Sequence, residues 1–225
     1  MIDLRTRLGA ANGLIFDFDG TLAPNLDLPD MRRQVIDYTL DHGVPEAVIA
    51  NAYIVEIIEL ARKWLTQSDA NLAQRYQQSA HELITDFELA AAEGTTVYED
   101  ARQLLQRWRT RNGRSAIVTR NCRAAVVRTY PEVLEEVDVL LARDDVTHLK
   151  PDSRHLQEAL SQLRTAAAHS IMIGDGQMDM RIGRAHSLYC IGVLGGSSSR
   201  AALLAAGAHC VVEHVATLAH ALNEL

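Results

Sequence analysis

Short apolar runs alternate with segments of helical spacing along most of the chain. The first run, residues 13–18, ends in acidic residues and a glycine, which is typical of a buried strand that leads into a loop. Comparable runs span residues 114–121, 137–145, 170–176, 188–196 and 209–213. Amphipathic helical spacing separates them at residues 100–111, 153–167, 178–186, 200–206 and 215–222. This alternation predicts βαβ units and a parallel sheet covered by helices on both faces, with right-handed crossovers.

The segment between the first two runs has a different pattern, because it contains no convincing strand. Apolar side chains recur at helical spacing from Ala50 to Leu65, and charged side chains fall between them. Pro45 is expected near the start of a helix, and Ser68 and Asp69 are expected caps of another helix that ends before Gly94.

We therefore predict two domains. Residues 1–22 and 96–225 are expected to form an α/β core, and residues 23–95 an all-α domain inserted into it. A chain of 225 residues that is 48% hydrophobic is long enough for this arrangement.

Charge and composition narrow the classes of partner. The net charge is -7 and no basic stripe is present, which argues against a nucleic-acid-binding protein. The three cysteines are far apart and form no CxxC pair, which is typical of a reducing compartment. No signal-peptide pattern and no long apolar run are apparent, so we expect a cytoplasmic protein without a membrane partner, either a monomer or a homodimer.

The end of the first run and the loop that follows it contain two carboxylates, Asp17 and Asp19, two positions apart. Two anions at the end of a buried strand repel each other and lose hydration, and a divalent cation is the simplest compensation. Carboxylate oxygens with space for water suit Mg²⁺. Gly20 permits a tight turn that a side chain would obstruct. The alternative is an ordinary turn, since Asp and Gly are common turn formers.

A second acidic cluster begins at the end of the run at residues 170–176. Asp175 and Asp179 are four positions apart, on one side of a loop that leads into a helix. Asp175 can complete a metal site, and Asp179 can ligate or orient other ligands. The alternative is a pair of acidic residues that simply favour a helix N-terminus.

Two further strand ends carry residues suited to a phosphate group. The hydroxyl of Thr119 and the backbone amides of Arg120 and Asn121 are candidates to hold phosphate oxygens. Lys150 precedes Pro151 in a loop before a helix, and its ammonium is a candidate phosphate ligand. Each of these residues is unremarkable alone, because most lysines are surface charges.

The order of these features is more specific than any one of them. DxDGT, a run that ends in Thr, Lys-Pro and GDxxxD all fall at predicted strand ends or in adjacent loops. They should therefore face one edge of the sheet, where such folds bind ligands. In this order the four motifs resemble those of the haloacid dehalogenase-like superfamily, over essentially the whole chain.

The resemblance implies a Rossmann-like, doubly wound parallel sheet with a helical cap, and a Mg²⁺-dependent phosphatase. Asp17 would be the nucleophile and a metal ligand. Asp19 would be the general acid and base, and would give its backbone carbonyl to the metal. The remaining roles would be phosphate binding by Gly20, Thr119, Arg120, Asn121 and Lys150, and metal binding by Asp175 with support from Asp179.

The position of the insertion indicates a branch of this superfamily. Thr119 follows Asp19 by 100 positions, whereas Lys150 follows Thr119 by only 31, so the insertion lies after the first motif. This resembles the cap of phosphoglycolate phosphatase-like and β-phosphoglucomutase-like members, which act on small phosphorylated metabolites. The run Thr21-Leu22-Ala23-Pro24 departs from the Asp-Ser pair often found there, which leaves the subfamily open.

Several alternatives remain open from the sequence. A dehalogenase has no need of Asp19 or of Mg²⁺, so Asp19 disfavours it. A phosphosugar mutase, which returns the phosphoryl group to a sugar, fits the same motifs, and so does an inactive binding protein on the same fold. The loop at residues 195–199 lies at another strand end, and is either an anion-binding loop or a flexible connection.

Overall fold

Six parallel strands form one sheet in the part of the chain that this computed structural model describes, residues 4–224. The strands are β1 (Gly13–Phe16), β2 (Arg114–Val118), β3 (Val139–Leu141), β4 (Ser170–Gly174), β5 (Tyr189–Val193) and β6 (Cys210–Val212). Their order in the sheet is β3-β2-β1-β4-β5-β6. The predicted α/β fold with a doubly wound parallel sheet is confirmed.

Twelve α-helices accompany the strands within the described residues. They are α1 (Leu4–Ala10), α2 (Leu28–Asp41), α3 (Glu46–Ile49), α4 (Ile54–Thr66), α5 (Ala70–Ala92), α6 (Glu99–Thr110), α7 (Arg123–Thr129), α8 (Val133–Glu136), α9 (Arg154–Leu163), α10 (Gln177–Ala185), α11 (Arg200–Ala205) and α12 (Ala216–Asn223). Helix α3 begins at Glu46, directly after Pro45, where a helix start is expected. The sequence pattern did not predict the short helices α1, α7 and α8, of four to seven residues, because so few residues define no periodicity.

The two faces of the sheet have separate apolar cores, because successive side chains of a strand point to opposite faces. Leu14 and Phe16 pack with residues of α1, α6, α7, α8 and α12, whereas Ile15 packs with residues of α9, α10 and α11. All four residues of β1 are buried, which is typical of a central parallel strand. Helices therefore cover both faces, as the pattern predicts.

The strand order reverses at β1, which is flanked by β2 on one side and β4 on the other. The chain runs from β1 to β2 and β3, and then returns to place β4 against β1. A crevice at the carboxyl ends of the strands is expected where the order reverses, and ligands bind there in open α/β sheets.

The chain separates into two compact units. One comprises the residues up to Asn25 and from Ala92 onward, and contains the sheet; the other is Leu26–Ala91. The insertion predicted from the sequence, residues 23–95, extends a few residues beyond the second unit at each end. The assignment of the two units as a core domain and a cap domain stays a prediction.

Helices α2 to α5 supply the core of the Leu26–Ala91 unit. Asp69 caps α5, since its Oδ1 accepts from the amides of Asn71 and Leu72 at 2.8 and 3.0 Å. The pattern from Ala50 to Leu65 predicts one helix, but α4 begins only at Ile54. Asn51 has a φ of 60°, a left-handed conformation that interrupts a right-handed helix. Within the described residues, no helix is both long and apolar enough to span a bilayer.

Candidate active site

The loop that follows β1 is a tight turn built on the carbonyl of Phe18. That carbonyl accepts from the amides of Thr21, Leu22 and Ala23, at 3.2, 2.8 and 3.1 Å. The strand itself ends at Phe16, before this turn. Gly20 has a φ of +74°, and a Cβ there would lie 2.8 Å from the Asp175 carboxylate. The turn thus requires glycine both for its backbone conformation and for the close approach of Asp175.

Three carboxylates meet at the carboxyl ends of β1 and β4. Oxygens of Asp17, Asp175 and Asp179 all lie within 4.8 Å of one another. Asp179 is buried at the first turn of α10, and its Oδ2 accepts from the Gly176 amide at 3.2 Å. A Cβ at Gly174 would lie 2.6 Å from the same oxygen, so the strand end can approach Asp179 only because it is glycine.

Lys150 supplies the positive charge of this cluster. Its Nζ lies 2.9 Å from Asp17 Oδ1 and 2.8 Å from Asp179 Oδ1. The side chain is only 2% exposed, so Lys150 is not a solvated surface charge, as most lysines are. A buried ammonium needs such partners, since an unpaired buried charge is strongly destabilising.

Ionisation in this cluster is shifted in both directions. Burial and the nearby Asp17 carboxylate raise the pKa values of Asp175 and Asp179 above the usual range for aspartate. Burial alone would lower the pKa of Lys150, but the carboxylates of Asp17 and Asp179 outweigh it, so this pKa lies above its ordinary value. With all three carboxylates ionised, the cluster would carry more negative charge than the one Lys150 ammonium compensates.

The donor set fits a hard divalent cation. Three carboxylates within 4.8 Å of one another offer oxygen ligands, and Mg²⁺ uses carboxylates together with water. Burial and the Asp17 carboxylate both disfavour the ionised forms of Asp175 and Asp179 and so raise their pKa values, and a bound cation would offset both effects. The group of three does not include the carboxylate of Asp19, which has a different partner.

Asp19 pairs with the side chain of Asn121. The Asn121 amide Nδ2 donates to Asp19 Oδ1 at 3.1 Å and to Oδ2 at 3.2 Å. The opposite orientation of the Asn121 amide would place its oxygen against the Asp19 carboxylate, where neither group could donate. The amide orientation is therefore assigned from the hydrogen-bond chemistry. In this orientation Asn121 Oδ1 is buried and has no hydrogen-bond partner among the described residues. The sequence pattern had pointed only to the backbone amide of Asn121.

Thr119 and Arg120 lie at the end of β2, beside this pair. Thr119 is 1% exposed, its amide donates to Leu141 O at 3.1 Å, and its Oγ1 accepts from the Asn121 amide at 3.1 Å. Arg120 Nη1 donates to the Lys150 carbonyl at 2.9 Å. The threonine hydroxyl and the arginine thus organise neighbouring loops, and the Asn121 amide expected to face phosphate already serves Thr119.

The loop after β5 also reaches the acidic cluster. A Cβ at Gly196 would lie 1.6 Å from Asp175 Oδ2, and one at Gly195 would lie 2.0 Å from the Gly20 carbonyl oxygen. Both distances are far inside van der Waals contact, so this backbone packs directly on the site. This packing disfavours the interpretation of residues 195–199 as a flexible connection, at least at Gly195 and Gly196.

The structure thus brings all the sequence-predicted residues to the carboxyl edge of the sheet. Asp17, Lys150, Asp175 and Asp179 form one charged cluster, and Asp19, Thr119 and Asn121 form a neighbouring hydrogen-bonded group. The sequence did not point to the buried His155, whose ring contacts the backbone of Lys150. No signal marked it, because a lone histidine in a helix pattern is usually structural.

Comparison with known families identifies the class of protein to which the chain belongs. The haloacid dehalogenase-like hydrolase family model matches residues 14–193, which is most of the chain. The chain belongs to this family and is a hydrolase of that class, as the four motifs predict.

Individual relatives share low sequence identity with the chain. Pyrophosphatase PpaX from Bacillus mycoides is 26% identical over 179 residues, which cover 75% of this chain and 77% of that protein. A hydrolase from Pseudomonas syringae has a similar structure, with a TM-score of 0.67, 19% identity and coverage of 95% and 99% of the two chains. CbbY from Rhodobacter sphaeroides, solved in complex with phosphate, has a TM-score of 0.63, 19% identity and the same coverage. At these identities the structural matches bear on the fold alone.

Proposed function

We propose that this protein is a Mg²⁺-dependent phosphatase that hydrolyses a small-molecule phosphate monoester through an aspartyl phosphate on Asp17. The observation that carries the proposal is the contact of Lys150 Nζ with Asp17 and Asp179, at 2.9 and 2.8 Å, beside Asp175. A nucleophilic carboxylate, a buried cation and two further acidic ligands are the groups that phosphoryl transfer needs.

In the first step, an oxygen of Asp17 attacks phosphorus and the bond to the leaving alkoxide breaks. Asp19 gives its proton to that alkoxide, which departs as the alcohol. The Lys150 ammonium offsets charge on the phosphoryl oxygens. Asp17, Asp175 and Asp179, with the backbone carbonyl of Asp19, would hold Mg²⁺, which when bound would offset negative charge in the site.

In the second step, Asp19 accepts a proton from water as the water oxygen attacks phosphorus. The bond between phosphorus and Asp17 breaks, which releases inorganic phosphate and restores the carboxylate. Asn121 supports both steps, because its Nδ2 donates to the two oxygens of Asp19 and holds the group in place. Asp19 thus ends the cycle protonated, as it began.

Inorganic pyrophosphate is a second candidate substrate. Pyrophosphatase PpaX is a relative that matches three quarters of the chain. In this protein, pyrophosphate hydrolysis would use the same transfer to Asp17, with phosphate as the leaving group. An activity assay on a panel of phosphate monoesters together with pyrophosphate distinguishes the two candidate substrates.

The decisive experiment measures phosphate release from this panel, with and without Mg²⁺. We expect Mg²⁺-dependent release by the wild type, loss of at least a hundredfold in Asp17→Asn, and no change in Glu158→Gln, an exposed acid-to-amide change on α9. Acid-quenched protein should carry labelled phosphate in the wild type but not in Asp17→Asn. Equal activity of the wild type and Asp17→Asn would refute the nucleophile.

The same assay tests the other interpretations of the motifs. Formation of a phosphosugar isomer in place of phosphate release would identify a mutase. No turnover and no phosphoenzyme with any substrate would favour a binding protein. Localisation in the cytoplasm and a monomeric or dimeric state are also proposed, and fractionation and light scattering test them.

A further inference from the structure

His155 lies in the first turn of α9 and is fully buried. Its Nδ1 lies 3.2 Å from the Lys150 amide nitrogen, and its Nε2 lies 3.2 Å from the carbonyl oxygen of Leu141, the last residue of β3. One imidazole thus joins the lysine loop to the end of a strand.

The two partners fix the tautomer of this ring. A backbone amide can only donate, so Nδ1 of His155 accepts from Lys150. A carbonyl oxygen can only accept, so Nε2 carries the proton and donates to Leu141. Only the neutral ring with its proton on Nε2 satisfies both bonds, since an imidazolium has no acceptor.

The electrostatic surroundings favour that neutral form. Burial and the positive charge of Lys150 lower the pKa of His155 to about 4, and Arg120 acts in the same direction. The Leu141 carbonyl and the Asp17 carboxylate oppose this shift but do not cancel it. His155 is therefore uncharged at neutral pH, as the geometry requires.

The same contacts reach the rest of the site. Leu141 O also accepts from the Thr119 amide at 3.1 Å, so the ring connects the ends of β2 and β3 to the lysine loop. On its other side, the Lys150 carbonyl accepts from Arg120 Nη1 at 2.9 Å. The Lys150 backbone is thereby held at both its amide and its carbonyl.

We propose that His155 is a positioning residue that fixes the Lys150 backbone, so that the ammonium of Lys150 reaches Asp17. The proposal rests on the proposed function, in which Lys150 offsets charge on the phosphoryl group. Without the imidazole the Lys150 amide loses its buried acceptor, and the loop is free to shift the short distance that costs a positioned charge much of its effect.

Three variants separate the two bonds of the ring. His155→Asn keeps an acceptor near the position of Nδ1, His155→Gln keeps a donor near the position of Nε2, and His155→Leu keeps neither. We expect kcat/KM to fall about tenfold or more in His155→Leu and His155→Gln, and to recover to within about threefold of the wild type in His155→Asn. The ranking of the three variants by kcat/KM should follow whether the bond to the Lys150 amide is kept. If the variants ranked by melting temperature instead, the loss of activity would reflect a general loss of stability.

Two measurements do not depend on activity. Hydrogen exchange of the Lys150 amide should be slow in the wild type and His155→Asn, and at least tenfold faster in His155→Leu. The ¹⁵N NMR spectrum of the wild-type ring should show the tautomer protonated on Nε2 at pH 7.

The outcomes distinguish this proposal from the proposed function. A wild type without phosphatase activity would refute the proposed function and with it any catalytic effect of His155, while exchange and NMR would still test whether the ring holds the Lys150 backbone. An active wild type with unchanged kcat/KM and Lys150 exchange in His155→Leu would overturn the positioning role. A ring protonated on Nδ1 would do so even where no variant folds.

Discussion

The side-chain amide of Asn121 donates to both carboxylate oxygens of Asp19, at 3.1 and 3.2 Å. The two residues follow different strands, β2 and β1, so the pair forms only because these neighbours end at the same edge of the sheet. The contact holds the proposed acid and base apart from the three clustered carboxylates. It also ties the position of Asp19 to the side chain of Asn121.

Changes at Asn121 should therefore act through Asp19. Asn121→Ala removes the donor, and we expect kcat to fall roughly tenfold to a hundredfold, because a hydrogen bond to a charged group contributes about 1.5–3 kcal/mol. Asn121→Asp has the same size but sets a second carboxylate against Asp19, and should lower kcat further. Steady-state kinetics at saturating Mg²⁺ measure both. If Asn121→Asp were as active as the wild type, Asn121 would not control Asp19.

The contact of the Gly195-Gly196 backbone with the acidic cluster gives a second prediction. In Gly196→Ala the new methyl group would lie 1.6 Å from Asp175 Oδ2, so that either the loop or the carboxylate must move. We expect weaker Mg²⁺ activation, with the half-saturating concentration raised at least tenfold. Ser197→Ala, the next position and an exposed one, is the control. An unchanged Mg²⁺ dependence in Gly196→Ala would mean that the loop yields without disturbing Asp175.

Much of the fold follows from two simple patterns. Short apolar runs marked every strand, since a strand buried on both faces has no polar alternation. The strands are shorter than these runs, because each run ends in loop residues; after β1, for example, backbone amides of the loop donate to the Phe18 carbonyl. Such bonds depend on backbone geometry that residue type does not specify.

The candidate site also has a part that the sequence predicts and a part that it does not. Asp17, Lys150 and Asp175 could be predicted because parallel strands bring their carboxyl ends to one edge, and motif order identifies those ends. The side-chain partner of Asp19 and the ring of His155 could not, because both depend on distances between loops that are far apart in sequence. No spacing rule relates position 121 to position 19.

Removal of one clustered carboxylate should have opposite effects without and with metal. Asp175→Asn relieves repulsion with Asp17, so we expect the metal-free protein to melt at a higher temperature than the wild type. Mg²⁺ at ten times its dissociation constant should stabilise the wild type by about 1.4 kcal/mol, which amounts to a few degrees, and should not stabilise Asp175→Asn. Calorimetry with a Mg²⁺ titration measures both effects, and Glu158→Gln is the control. A Mg²⁺ shift of wild-type size in Asp175→Asn would exclude Asp175 as a ligand.

Acid should destabilise the protein through His155. The ordinary histidine pKa of about 6.5 applies to the unfolded chain, whereas burial and Lys150 lower the pKa of the folded ring to about 4. Between these values the unfolded state binds the extra proton, so the stability that the neutral ring contributes is fully present above pH 6.5 and declines as the pH falls toward 4.

The stability difference between the wild type and His155→Gln should therefore shrink in acid. Linkage predicts a decrease of about 2 kcal/mol between pH 7 and pH 5, and of about 3 kcal/mol below pH 4. Urea unfolding at a series of pH values measures it without substrate or metal. His220→Gln, which removes an exposed histidine, controls for the loss of one imidazole. A difference that stays constant from pH 7 to pH 5 would mean that His155 titrates alike in the folded and unfolded chain, and that its ring is not held neutral by Lys150 and Leu141.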